Sequence, residues 1–232
     1  MGLFDKFSGG KKREAFYAEY AGSHGLKRSQ DEIPVVTKNL DGELETKERF
    51  DGEIAPGVQG TVAMTETTIR TSATVVNSET DQMYSGLPEG SYTESTHTSV
   101  DAYPSTVVMI PLTGSAGTFS GLAVKGNYKK QSTGKRETYG ELRRLPIEGL
   151  DLSDKFYVFA DEDADPERVR QVFTSEFSAW LNGRLDAEKF FGFEVGGGTL
   201  VTKRPKHAKE AEQLDSYVAE ASEIASRLNT AA

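Results

Sequence analysis

The chain has 232 residues, a net charge of −9 and no cysteine. That length buries a real core without disulfides, and the absence of thiols excludes a disulfide framework, a thiol nucleophile and thiolate metal sites. The acidic balance argues against nucleic acid as the main partner, and no apolar run approaches the roughly 20 residues that span a bilayer. Met1 to Asp5 lead into Lys and Arg without a signal-peptide apolar core, so the expectation is a cytoplasmic protein. Charge is unevenly placed: residues 1–30 carry six Lys/Arg against three acids, and 31–100 carry four against thirteen.

Residues 1–10 read as a flexible N-terminus. Leu3, Phe4 and Phe7, followed by Lys11, Lys12 and Arg13, combine large apolar side chains with a basic cluster, the ingredients of weak contact with an anionic membrane. The plainer alternative is a frayed end, or Phe4 and Phe7 tucked against the body. From Lys11 to His24 the pattern is helical, with Phe16, Tyr20 and His24 at i, i+4 and i+8 and alanines between them. Gly25 followed by Leu26 predicts a Schellman ending in which Leu26 folds back on the last turn.

From residue 33 to 128 the composition turns to Thr, Ser, Val and Gly. Turn signals stand at 39–42, Pro56-Gly57, 86–90 and Thr113-Gly114, which predicts a β-rich body. Residues 106–110 are the best buried strand and 119–124 the next, whereas the polar stretch 91–99 suits an exposed edge or hairpin arm. The basic, Gly- and Ser-containing stretch within 129–150 reads as a linker loop. It separates 11–128, a helix plus β-rich region, from 151–232, a strand–helix–hairpin–helix unit, the two forming separate domains or one composite.

In the second unit residues 156–159 are β-prone. Asp165, Pro166 and Glu167 then supply an N-cap, a proline at the first helical position and an acid in the first turn. A helix from Pro166 to about Leu181 places Val169, Val172, Phe173, Phe177, Trp180 and Leu181 on one stripe, which is expected to lie on a sheet. The runs 190–195 and 199–202 flank Gly196, Gly197 and Gly198, the connection of a hairpin. A last helix, 207–228, carries the seam Ala211, Leu214, Val218, Ala221, Ala225 and Leu228, suited to packing on the body or on a second copy of the chain.

The chemistry-bearing residues form no constellation. Asp161, Asp163 and Asp165 have the alternate spacing of a Ca²⁺ loop, but Pro166 stands where the turn glycine belongs and Val172 where the bidentate Glu belongs, so helix capping is the better reading and no metal is expected. His24, His97 and His207 share no ligand spacing. The triple glycine is followed by strand rather than by Lys-Ser/Thr and a helix, unlike a phosphate loop, and no cofactor-binding motif is present. No nucleophile, base and orienting group are recognisable together, so an enzyme has no positive support.

The helix around 16–26, the Thr/Ser-rich middle, the run 155–161 before Pro166 and the terminal hairpin and helix are together similar to a family of uncharacterised proteins common in actinobacteria. The acidic 31–100 segment departs from that pattern. The resemblance implies no activity, cofactor or catalytic residue to carry over.

The fold class expected is α+β, an N-terminal helix and mainly antiparallel strands followed by strand, helix, hairpin and long C-terminal helix. The leading functional expectation is a noncatalytic cytoplasmic binding or interaction protein that meets a protein partner or itself. The alternative is a binder of a small apolar molecule or lipid in a cavity between sheet and C-terminal helix, and an enzyme comes third.

Overall fold

The computed structural model describes residues 3–37, 43–78, 92–126, 138–146, 148–154, 156–187 and 191–230. Helix α1 spans Leu3–Ser23, so most of the stretch expected to be a flexible N-terminus has helical backbone, and Gly9 and Gly10 do not interrupt it despite their poor propensity. The Schellman ending is present. Gly25 has a φ of +64°, the Leu26 N–H donates to the Ala21 carbonyl at 2.8 Å, and the Gly25 N–H donates to the Gly22 carbonyl at 3.3 Å. The buried stripe of α1 is Tyr17, Tyr20 and Ala21, with Phe16 half-buried and His24 exposed.

Among the described residues, ten strands form one antiparallel sheet. They are β1 (Lys27–Ser29), β2 (Glu43–Ala55), β3 (Val58–Ser78), β4 (Tyr92–Pro111), β5 (Gly121–Gly126), β6 (Thr138–Tyr139), β7 (Leu142–Leu145), β8 (Phe156–Ala160), β9 (Gly192–Gly196) and β10 (Thr199–Pro205). Their order across the sheet is β1-β2-β3-β4-β10-β9-β5-β8-β7-β6. Turn chemistry sets the registers. Pro56-Gly57, with Gly57 at φ +74°, joins β2 to β3 as a type II turn. Gly197 and Gly198, at φ +54° and +74°, join β9 to β10 as a two-residue type I′ turn. The loop expected across 129–150 is corrected in part, because β6 and β7 pair there as a hairpin at the sheet edge. Beyond Thr68 on β3 and Ser105 on β4, no other strand among the described residues continues the pairing, and the two run on as a ribbon to Ser78 and Tyr92. Residues 92–99 of the polar stretch thus lie on a hairpin arm.

The helix expected over 166–181 is two helices, α2 (Pro166–Val172) and α3 (Ser175–Ala187). Asp165 caps α2 as expected, its carboxylate accepting from the Glu167 N–H at 2.9 Å. The break follows from Thr174, whose hydroxyl accepts from the Phe177 N–H at 3.2 Å, a cap that competes with continued helix. The apolar stripe survives the break, with Val169, Val172, Phe173, Phe177 and Leu181 buried. Helix α4 is Ala211–Thr230.

All four helices pack on one face of the sheet. Alternate residues such as Met64, Val108, Val124, Phe193 and Leu200 join Tyr17, Phe177 and Leu214 in one hydrophobic cluster. The 11–128 and 151–232 stretches share that core. The C-terminal seam is settled in favour of packing on its own body: Leu214, Val218, Ala221, Ala225 and Leu228 are buried, with Ile224 beside them, while Ala211 is exposed. That stripe is therefore not available to a second copy. At about 1.5–3 kcal/mol for each fully buried Leu, Ile or Val, its large residues offset the several-kcal/mol desolvation of the one acid they bury, Glu220. Among the described residues, the other face of the sheet carries no α-helix. At one end the segment 31–37 lays Ile33 over Ala63, Val107, Met109 and Val201, and no other described element covers that face, called here the bare face.

Candidate functional site

Strand alternation decides which side chains reach the bare face. On β10, Leu200, Thr202 and Arg204 point to the helices and Val201 and Lys203 point away, while on β5 Val124 points in and Lys125 out. On β9, between them, Phe193 and Val195 are core, so Gly192 and Glu194 occupy the bare side. Three polar residues on adjacent strands are thereby gathered around a glycine. A Cβ on Gly192 would lie 2.8 Å from the Val124 carbonyl and 3.4 Å from Lys125 Cδ, so the close approach of β9 and β5 requires glycine there.

The Lys125 ammonium forms an ion pair with Glu194 Oε1. Glu194 is 1% exposed, and Lys125 also stands 4.7 Å from the centre of the Tyr139 ring. Lys203 donates to the Thr67 hydroxyl at 3.3 Å. Burial holds the Lys125 pKa below that of an ordinary lysine, with Glu194 opposing the shift. Lys203 is lowered by burial first and by the charge of Lys125 second, again with Glu194 opposing.

These lysines border a groove of about 690 Å³, within the range of small-molecule sites. Phe191, Tyr103, Ile69 and Pro205 supply apolar walls, and Lys206 closes one side. Ile69 and Tyr103 are about half exposed there, the kind of contact that a ligand would cover. Lys206 adopts a φ of +72°, uncommon for a side-chain-bearing residue. Its N–H donates to the Pro104 carbonyl at 2.7 Å and its carbonyl accepts from the Thr106 hydroxyl at 3.1 Å, contacts that hold the strained backbone at the groove. Beyond Glu194 a second cavity of about 330 Å³ is bordered by Leu142, Tyr139, Asp161 and Val36. The Lys125–Glu194 pair stands between the two.

The residues singled out in the sequence lie elsewhere. Asp165 caps α2, and Asp161 accepts from the Ser120 hydroxyl at 2.7 Å. Among the described residues no three His, Asp or Glu converge as metal ligands. His24 stacks on Tyr20 at 4.1 Å and meets Asp215 at 3.3 Å, and His97 lies in β4 opposite Ala73. His207 is buried. Its Nδ1 lies 3.2 Å from Arg13 Nη1, and its Nε2 lies 2.9 Å from the Thr65 carbonyl. A guanidinium can only donate and a carbonyl can only accept, so the ring is neutral with its proton on Nε2. Burial accordingly pushes its pKa down. Of the six residues with membrane-binding ingredients, Arg13 is exposed and occupied with His207, and the side chains of Leu3, Phe4, Phe7, Lys11 and Lys12 lie outside the described residues.

Lys125, Glu194 and Lys203 escaped the sequence reading, although a signal exists. Each is a charged residue inside an otherwise apolar strand run, Leu122-Ala123-Val124-Lys125, Phe193-Glu194-Val195 and Leu200-Val201-Thr202-Lys203. The chain matches no protein-family model, no curated protein and no solved structure.

Proposed function

We propose that the chain is a noncatalytic binding protein whose ligand is a small, largely apolar molecule held in the groove on the helix-free face. One observation carries this reading: an apolar groove of ligand size, with exposed Tyr103 and Ile69, built over a cluster of ionised groups at the floor. The ligand lies on the opposite face from α4, because the sheet face beneath that helix is filled by its own side chains. Titration with the uncharged fluorescent probe N-phenylnaphthylamine tests it. Saturable binding of one probe per chain is expected, lost in the Ile69→Asp, Tyr103→Asp double variant at unchanged melting temperature. Binding that the double variant leaves intact would move the ligand elsewhere.

A protein-interaction role has its own observation, the two-stranded ribbon beyond Thr68 and Ser105 with Val100 60% exposed on it. A two-stranded ribbon is marginal alone in water. Light scattering tests the version in which the partner is a second copy: concentration-dependent association abolished by Val100→Asp supports it, and a monomer at all concentrations refutes it.

A further inference from the structure

We infer that the groove takes a single-chain carboxylate, an amphiphile of the fatty-acid class, with its headgroup at Lys203 and its alkyl chain along Tyr103 and Ile69. This rests on the groove being the binding site. The first ground is charge complementarity. In a chain of net charge −9, the described residues that line this groove include Lys125, Lys203 and Lys206 and no acid. An apolar trough with only cationic groups on its walls suits a molecule with an apolar body and a negative end.

The second ground is the arrangement of the lysines around Gly192. Lys125 pairs with Glu194, which is fully buried, and Lys203, which also feels the charge of Glu194, donates to the Thr67 hydroxyl at the groove wall. A singly charged headgroup can be met by Lys203 while Lys125 stays on Glu194. A dianion such as a phosphate monoester would draw on Lys125 as well and leave Glu194 buried without its counter-charge, an expensive arrangement. Glu194 therefore acts as a selector for one negative charge, and Lys206 at the exposed side adds attraction without desolvation.

The third ground is the charge environment of Lys203. Burial and the charge of Lys125 both oppose the ammonium form of Lys203, so an anion laid against it restores proton affinity, and binding is coupled to proton uptake at alkaline pH.

Calorimetric titration of decanoate, decanol and decyl phosphate at about pH 9, in two buffers of different ionisation heat, reads all three grounds. Decanoate is expected to bind about tenfold or more tightly than decanol, with uptake of a fraction of a proton, and more tightly than decyl phosphate. Lys203→Met is expected to lose both the preference for decanoate and the proton uptake, and Lys203→Arg to keep the preference. Equal affinities for decanoate and decanol, unchanged in Lys203→Met, would overturn the headgroup and leave the groove as a site for neutral molecules. Tighter binding of decyl phosphate would overturn the single-charge selection. Failure of all three amphiphiles to bind would overturn the groove itself together with this inference.

Discussion

Glu220 and Glu194 are both buried, each beside two cations, on opposite faces of one sheet. On the helix side Glu220 of α4 meets Arg204 of β10 and accepts from Arg184 of α3 at 3.0 Å, and Arg204 also faces the rings of Phe191 and Tyr217 at 5.5 Å and 5.9 Å. On the bare side Glu194 pairs with Lys125 and draws on the charge of Lys203. Lys203 and Arg204 are neighbours in the chain, and the pleat sends one to each face. The residue types follow the surroundings. A guanidinium offers a rigid fork for a carboxylate and a flat face for aromatic rings, which suits a sealed cluster. An ammonium is a mobile point charge that tolerates an exchange of partners, which suits a groove.

If the helix-side cluster is a closed structural unit, breaking it is the most damaging polar change available. Glu220→Gln leaves the buried Arg204 guanidinium, and the partly exposed Arg184 beside it, without their carboxylate and is expected to cost about 3–5 kcal/mol in denaturant unfolding. Glu194→Gln should cost less, about 1–2 kcal/mol, because water in the groove can solvate Lys125, whose side chain is 24% exposed against 6% for Arg204. Equal losses would erase the distinction between the two faces. Trp180 sharpens the boundary of the sealed side. It is half-buried, edge-on to Phe191 and flanked by Arg184 and Arg227, each at 5.5 Å. Trp180→Ala is therefore expected to cost about 2 kcal/mol by thermal or denaturant unfolding, less than a fully enclosed aromatic would.

The helix side of this comparison was legible in the sequence and the bare side was not. Local rules carry the former: Asp165-Pro166 starts a helix, Gly25-Leu26 ends one, Gly197-Gly198 turns a hairpin, and the α4 stripe announces its buried face. Each depends on residues within a few positions of one another. The groove depends on strand order, because β5, β9 and β10 bring residues 125, 194 and 203 together across the intervening β6, β7 and β8 and two helices. Nothing local distinguishes Lys203 from Arg204, which a single step of the pleat assigns to different chemistry. The break at Thr174 was missed for the converse reason, since the apolar period continues through it and only the hydroxyl cap interrupts the helix.

A third contact lies between α1 and the loop that joins β10 to α4. Tyr17, its hydroxyl pKa pushed up to about 12 by burial, donates to the Ala208 carbonyl at 2.8 Å, and His207 sits beside Arg13. Burial lowers the folded pKa of His207 from 6.5, with Arg13 and Lys47 acting in the same direction and Thr65 and Glu66 opposing. The unfolded chain thus binds the proton first, and the stability from neutral His207 is complete above pH 6.5. It is lost as pH falls below that value towards the folded pKa. Denaturant unfolding between about pH 7.5 and pH 5 is expected to show this loss, and His207→Gln, which keeps a donor for Thr65, should flatten it. An unchanged slope in the variant would place the acid sensitivity elsewhere.

The smallest effect has the opposite sign and separates the two faces most directly. Burial and Lys125 together outweigh Glu194 in disfavouring the Lys203 ammonium, so folding without ligand is opposed by this side chain's charge at neutral pH. Methionine has a similar length, packs against the stem positions that lysine occupies, and carries no charge to desolvate. Lys203→Met is therefore expected to raise the unfolding free energy by about 1 kcal/mol, whereas removal of a charge from the Arg204 cluster lowers it. A residue kept for the fold should not behave in this way, but a residue kept for a ligand can, since the gain in stability is accompanied by the loss of decanoate binding. Parallel unfolding curves of the two proteins, with and without decanoate, decide the matter. The wild type should gain stability from the ligand and overtake the variant, which should gain little. Destabilisation by Lys203→Met in the absence of ligand would make Lys203 a structural partner of Glu194 and bring the bare-face cluster into line with the sealed one.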